Sequence, residues 1–378
     1  MTRARDVANL GAVTSRLNTI GSSSGSLSNR NILINGSMNI SQRSASVTGI
    51  GASAGYFTCD RWRIEVGGTA GRFTQTQTGD GPNGISANCL KLDCTTADTS
   101  IAASEYLILT QCLEGQDLQR IAKGTSDAKK VTLSFYVKAN AAFTFVAEFQ
   151  DNTNSRLIGK TFATTTDWVR HEITFDADTT GAFNDDNAEG GRINFWLHSG
   201  ASYSGGTLPS GWYARSGNDV NRAAGIGSFF SSTDNNFFIT GVQLEVGPQS
   251  TPFEVEPYSA TLAKCQRYFF LETTTATDSS GRLGVGSGAA TVVFDHTLPV
   301  QMRTKPSVSL TNANIRIGDM VAQGFTTSSG TVTINTYSGS QSVTYSLGGF
   351  SGLTSYRSYL HEPSAASPGM VKFDAELG

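Results

Sequence analysis

The sequence predicts an all-β chain: a short helical N-terminal anchor, a jelly-roll-like β-sandwich, and a smaller C-terminal β domain. Three observations carry that prediction. Apolar and polar residues alternate at period two in many short stretches, the side-chain period of a half-buried strand. Gly, Ser, Thr and Asn are abundant, and only 16% of residues are charged, against a usual share of about a quarter. Helical spacing is concentrated in the first twenty residues.

Leu10, Val13, Leu17 and Ile20, preceded by Val7, recur at the three- and four-residue intervals of a helical seam. So short a helix is marginal alone in water, so its stripe must bury against further copies of itself or a socket on a partner. Gly21–Gly25 (GSSSG) breaks it and forms a hinge. The expected division is therefore residues 1–29 as anchor and hinge, 30–258 as sandwich, and 259–378 as connector and C-terminal β domain.

Within the sandwich, Asn31–Arg43 (NILINGSMNISQR) reads as strand then turn, closed by Asp60–Trp62. Leu113–Leu118 (LEGQDL) opens the one internal helical turn, Glu114–Ile121, with Leu118 and Ile121 inward. Val131, Leu133, Phe135 and Val137 alternate with polar neighbours. So do Val169, His171, Ile173 and Phe175, and Ile193, Phe195 and Leu197 share one face of a later strand. The closing run Phe238–Gly247 (FITGVQLEVG) is expected to turn Phe238, Val242, Leu244 and Val246 one way. Trp62 and Trp168, at strand starts, are expected in the core. Tyr258–Tyr268 reads as a helical connector, followed by strands at 291–294, 307–310, 331–335, 343–347 and 371–377.

Composition excludes several classes. With a net charge of −3 there is no basic face for nucleic acid. Aromatics at 10% can fill a core, unlike those of a disordered chain. Apolar runs stay far below the ~20 residues that cross a bilayer, so membrane insertion is not expected. Nor is a secretory leader, because Asp6–Leu10 is not an apolar stretch. Cys59, Cys89, Cys94, Cys112 and Cys265 lack paired metal-ligand spacing and read as buried thiols.

Chemistry finds little support. The four histidines share no ligand spacing, and no Gly-x-Ser-x-Gly elbow is present. Gly284–Gly288 (GVGSG) lacks the following helix of a phosphate site and reads as a loop. No catalytic residue and no cofactor is expected. Asp176, Asp178, Asp185 and Asp186 lie in one acidic loop whose oxygens could hold calcium, although solvation is the plainer reading.

Binding is better supported. Tyr203, Trp212, Tyr213, Arg215, Asn218 and Asp219 sit on a Gly/Ser loop, where aromatic rings could stack on sugar faces and polar groups bond hydroxyls. Trp212 could equally cap an open end of the sandwich or be buried between subunits. A second cluster, Phe350, Tyr356, Arg357, Tyr359 and His361, could form a receptor-contacting tip.

The NILINGSMNISQR segment with its DRW closure, LEGQDL, the strand VTLSFYVK at Val131–Lys138, FITGVQLEVG, and Cys265–Phe269 (CQRYF) together resemble the sandwich modules of bacteriophage tail fibres and related host-attachment proteins. The resemblance covers roughly residues 30–270. It implies a homotrimer and docking of the N-terminus to the phage tail, baseplate or an adaptor protein. It further implies a distal C-terminal head and non-catalytic attachment to host cell-surface polysaccharide. Such a protein would be a virion component assembled in host cytoplasm. The sandwich also resembles carbohydrate-binding modules, and the alternatives are a capsid-borne appendage fibre, a fibre-borne glycan hydrolase or esterase, and a cellular carbohydrate-binding module.

Overall fold

The computed structural model describes residues 29–217, 219–272, 282–319, 321, 324–362 and 370–378. The anchor stripe (Val7, Leu10, Val13, Leu17, Ile20) and Asn218 lie outside the described residues. The chain divides into two compact units, the first reaching Tyr258 and the second running from Ser259 to Glu376. Both are antiparallel β structures.

The first unit holds thirteen strands: β1 (Ser46–Ile50), β2 (Gly55–Tyr56), β3 (Arg63–Gly67), β4 (Arg72–Thr78), β5 (Cys89–Thr96), β6 (Tyr106–Glu114), β7 (Val131–Ala139), β8 (Thr144–Asp151), β9 (Arg156–Ala163), β10 (Val169–Phe175), β11 (Glu189–Ser199), β12 (Tyr213–Ala214) and β13 (Asn236–Val246). They form a six-stranded sheet, β1-β4-β5-β13-β7-β10, and a seven-stranded sheet, β12-β9-β8-β11-β6-β3-β2. The two inner faces share one core. Phe135 of β7 meets Phe195 of β11 at 5.0 Å between centroids, and Phe145 of β8 meets Phe237 of β13 at 5.8 Å. Alternation along β7 and β11 puts their apolar residues there, as the period-two reading expects. The helical turn is a 3-10 helix, Gly115–Ile121, with Leu118 and Ile121 buried.

Three expectations about this unit need correcting. Asn31–Arg43 is not a strand; it is an irregular clasp with Asn35 and Met38 at positive φ. The Asn35 side chain donates to the carbonyls of Ile40 and Asp60 and accepts from Ile40 N, while Trp62 Nε1 donates to Asn35 O. Asn31 then bonds β13 through Nδ2 to Val242 O and through Oδ1 from Leu244 N. The NILINGSMNISQR, DRW and FITGVQLEVG segments are thus one hydrogen-bonded knot. Gly36 allows it, since a Cβ there would stand 2.0 Å from Val242 O.

In β13 a register shift between Thr240 and Gln243, at Gly241 with φ +60, reverses the facing of side chains. Phe237 and Ile239 therefore join Val242, Leu244 and Val246 in the core, and Phe238 does not. Phe238 lies on the outer face beside the half-buried Trp168, with the Lys138 ammonium over both rings. Trp62 is fully buried; Trp168 is not.

The second unit opens with a helix, Tyr258–Gln266, and continues through β14 (Phe269–Leu271), β15 (Leu283–Gly286), β16 (Thr291–Thr297), β17 (Ser307–Leu310), β18 (Ile315–Gly318), β19 (Gly324–Thr327), β20 (Thr331–Ile334), β21 (Ser342–Gly348), β22 (Ser358–Glu362) and β23 (Val371–Asp374). A seven-stranded sheet, β19-β18-β22-β15-β16-β21-β20, accompanies a three-stranded one, β14-β23-β17. Phe294, Tyr345, Leu347 and Phe373 lie in its core. The glycine run expected as a loop begins instead in strand β15. Gly284 packs under Phe294, where a Cβ would come within 2.7 Å of the ring.

Candidate functional site: a cleft on the seven-stranded sheet

In β11 both faces are buried. Ile193, Phe195 and Leu197 face the core, which turns Arg192, Asn194 and Trp196 outward. On β8 the outward residues are Val146, Glu148 and Gln150, and on β6 they include Tyr106 and Ile108. The excursion between β11 and β13 folds back over this outer surface. Its short helix Ala201–Ser204 and the 3-10 turn Asp219–Asn221 bring Tyr203 and Arg222 onto the sheet. Ile108, Val146, Trp196 and Ala223 make a second, small apolar core between them.

The result is an open cleft of about 260 Å³. One wall is aromatic: Tyr106 stands edge-on to Tyr203 at 5.4 Å, and Trp196 lies 5.4 Å from Tyr203 and 6.4 Å from Tyr106. Gly67 makes room for Tyr106, since a Cβ there would sit 2.6 Å from the ring.

The rest is a continuous polar lattice. Arg222 grips Glu148 with two bonds (2.9 and 2.6 Å), donates to Gln150 Oε1 at 2.7 Å, and lays its guanidinium 4.8 Å from the Trp196 ring. Asn194 Nδ2 donates to Glu148 and Gln150, while its Oδ1 accepts from Thr110 at 2.6 Å. Gln150 donates to Asn152, which donates to Glu189, and Arg192 bridges Glu189 to Glu65. Such a lattice fixes the amides and guanidinia in place before any ligand arrives. Against it, one donor is orphaned. Trp196 is 1% exposed, and its indole Nε1 has no hydrogen-bond partner, a costly arrangement at the wall of a cleft.

Of the loop residues singled out in the sequence, Tyr203 and Arg215 line this cleft. Asp219 braces it from behind, 3.1 Å from Arg215 and 3.6 Å from Arg222. The Tyr213 hydroxyl is buried without a partner, and burial pushes its pKa up. Trp212 is elsewhere: it caps the end of the sandwich against Phe149, with Nε1 donating to Asp176 O at 2.7 Å and Lys123 over its ring.

The expected receptor tip does not form as one surface. Phe350, Tyr359 and His361 are buried in the second unit, Tyr359 against Phe325 and His361 against Phe294. Tyr356 is exposed, and Arg357 is bound to Asp319 at 2.7 Å.

The four aspartates of the acidic loop are not brought together. Among the described residues no group of three or more His, Cys, Asp or Glu could hold a metal ion. Asp176 pairs with Lys130 and Asp178 with Arg156 and Lys123, while Asp185 and Asp186 are exposed, Asp186 Oδ1 accepting from Ala188 N. His171 stacks on Phe135 and bonds Ala163 O, and burial lowers its pKa.

No family model and no curated protein matches the sequence. Solved structures do. A family 4 carbohydrate-binding module is similar at 15% identity and TM-score 0.29, covering 56% of this chain and 97% of that one. The enzymatically active domain of bacteriophage CBA120 tailspike protein 4 is similar at 14% and 0.30, over 57% of this chain and 21% of that one. The family 61 module TmCBM61, solved with β-1,4-galactotriose, follows at 11% and 0.30, over 57% and 99%. Identity this low leaves function to be read from the cleft's own chemistry.

Sequence reasoning missed the sheet half of the site, Tyr106, Gln150, Arg192, Asn194 and Trp196, and with it Arg222 from the fold-back segment. A signal existed, because placing Ile193, Phe195 and Leu197 on one face of β11 assigns Arg192, Asn194 and Trp196 to the other.

Proposed function

We propose that this chain is a non-catalytic glycan-binding protein that attaches a phage particle to its host, working as a homotrimeric tail fibre or receptor-binding protein. The observation that carries the binding reading is the cleft itself. Three aromatic rings stand beside pre-positioned amides and guanidinia, with a buried indole N–H lacking a partner. Sugars present apolar ring faces and many hydroxyls, and this surface answers both.

Binding rather than cleavage follows from the carboxylates. Glycoside hydrolysis needs two acids facing one bond, one of them able to give a proton. Here Glu65 is engaged by Arg63 and Arg192, and Glu148 by Arg222. The attachment role itself rests on the motifs shared with tail-fibre sandwiches. Weak single sites suffice for it, because several copies on one particle multiply avidity.

Labelled protein should adsorb to intact host cells, and the adsorption should disappear after periodate oxidation of surface glycans. Adsorption that survives periodate, or loss of polysaccharide during incubation, would refute this function.

A further inference from the structure

The charges at the cleft point to a class of ligand. Three guanidinia line it, Arg192, Arg215 and Arg222, and Arg63 pairs with the lining carboxylate Glu65. Each has a carboxylate partner within the same unit. Arg192 pairs with Glu65 and Glu189. Arg215 pairs with Asp219, and Arg222 with Glu148 and Asp219. Each of these guanidinia is therefore matched by Glu65, Glu148, Glu189 or Asp219, and none of them offers the cleft an uncompensated positive charge.

From this balance we infer that the cleft recognises an uncharged polysaccharide, built of neutral sugars without carboxylate, phosphate or sulfate groups. The inference rests on the glycan-binding reading and narrows it. An anionic sugar could gain a guanidinium only by taking it from a carboxylate. For Arg222 the abandoned partner would be Glu148, whose side chain is 1% exposed, and a buried charge stripped of its partner is strongly unfavourable. Arg192 would release Glu65 and Glu189, both mostly shielded from solvent. Only the Arg215–Asp219 pair is open enough to exchange cheaply, and the exchange would leave the Asp219 charge close to the incoming anion.

Neutral hydroxyls face no such exchange. The other polar groups lining the cleft are dipolar, among them Tyr106, Tyr203 and Asn152. A sugar hydroxyl can bond such groups without disturbing any ion pair.

Paired probes test this with the ring held constant: a galactan against polygalacturonate, and a glucan against polyglucuronate, titrated calorimetrically into the full-length protein. The neutral member should bind at least about tenfold tighter than its uronate. Its Kd should also stay constant from about 0.05 to about 0.5 M salt, over which exposed charges become screened. A uronate that binds equally or more tightly, with affinity lost as salt rises, overturns the neutral-ligand inference and leaves glycan binding standing. Failure of both members of every pair, alongside adsorption to periodate-treated cells, removes the glycan reading and this inference together.

Discussion

Replacing Arg222 by methionine should unfold the site and separate its stability from its recognition. The Arg222 and Glu148 side chains are 6% and 1% exposed, so solvent screens their interaction little. Methionine keeps the apolar stem beside Trp196 but leaves Glu148, among the described residues, with the Asn194 amide as its donor. Breaking a buried pair from one side costs about 3–5 kcal/mol. For a domain of this size, each kcal/mol moves Tm by about 2–4 °C, so a loss on the order of 10 °C is expected for the first unit. Adding Glu148→Gln should recover much of that, because the orphan charge disappears while the amide still bonds Asn194. Glycan affinity should not recover, since the guanidinium that orders Gln150 and covers Trp196 is still missing. Calorimetric unfolding and glycan titration of the wild type, the single and the double variant measure both quantities. An R222M variant within about 1 kcal/mol of wild type, or a double variant less stable than the single, would refute the reasoning.

Three further outcomes are expected. Gly67→Ala should displace the Tyr106 ring and weaken glycan binding several-fold while the far-ultraviolet circular dichroism stays unchanged; unaltered affinity would place Tyr106 outside the contact surface. Lys123 sits 2.6 Å from Asp151, 3.1 Å from Asp178, and 2.6 and 2.9 Å from the carbonyls of Thr180 and Gly181. Lys123→Met should therefore cost about 3–5 kcal/mol, and chelator should leave the wild-type Tm unchanged, because an ammonium group already fills this oxygen cage. Burial alone would raise the carboxyls of Asp98, Asp178 and Glu254. Hydrogen bonds from Thr69, from Arg156 and from the backbone of Asn29–Asn31, among others, instead hold all three below the ordinary range. Folded values below unfolded ones mean that their stabilisation is complete above about pH 4 and drains as pH falls through the folded values. Thermal scans should be flat near pH 5–6 and fall steeply below 4; a first unit most stable near pH 3 would contradict this.

Much of the fold was legible because its strands obey a single period. Val131–Val137 and Ile193–Leu197 alternate cleanly, and each has one face on the core. Legibility failed where the backbone leaves regular geometry. Positive φ at Asn35 and Met38 turns an apolar run that resembles a strand into a clasp, and its partners lie some two hundred residues away on β13. Apolar content alone cannot report that the bonds of Asn31 go to Val242 and Leu244. At Gly241 a single irregular residue reverses facing, so a strand read at constant period puts Phe238 in the core and Phe237 outside it, the opposite of the arrangement found.

The site was half visible for a related reason. A loop dense in aromatics, glycine and polar residues attracts attention, and Tyr203, Arg215 and Asp219 do serve the cleft. Loop composition says nothing about which ring turns outward, however. Trp212 turns inward because the open end of the sandwich beside Phe149 needs a cover, and its indole N–H finds Asp176 O. Trp196, flanked in sequence by Phe195 and Leu197, is by exposure a core residue. What sets it apart is an unsatisfied N–H and an arginine on its ring, and both come from the fold-back of residues 200–222 over a sheet already closed on its other side. A binding surface built by laying a loop on a strand's second face therefore hides in sequence as excess burial: β11 carries more buried residues than one sandwich core can use. That excess, more than any motif, is the mark by which such a cleft could be found in another chain.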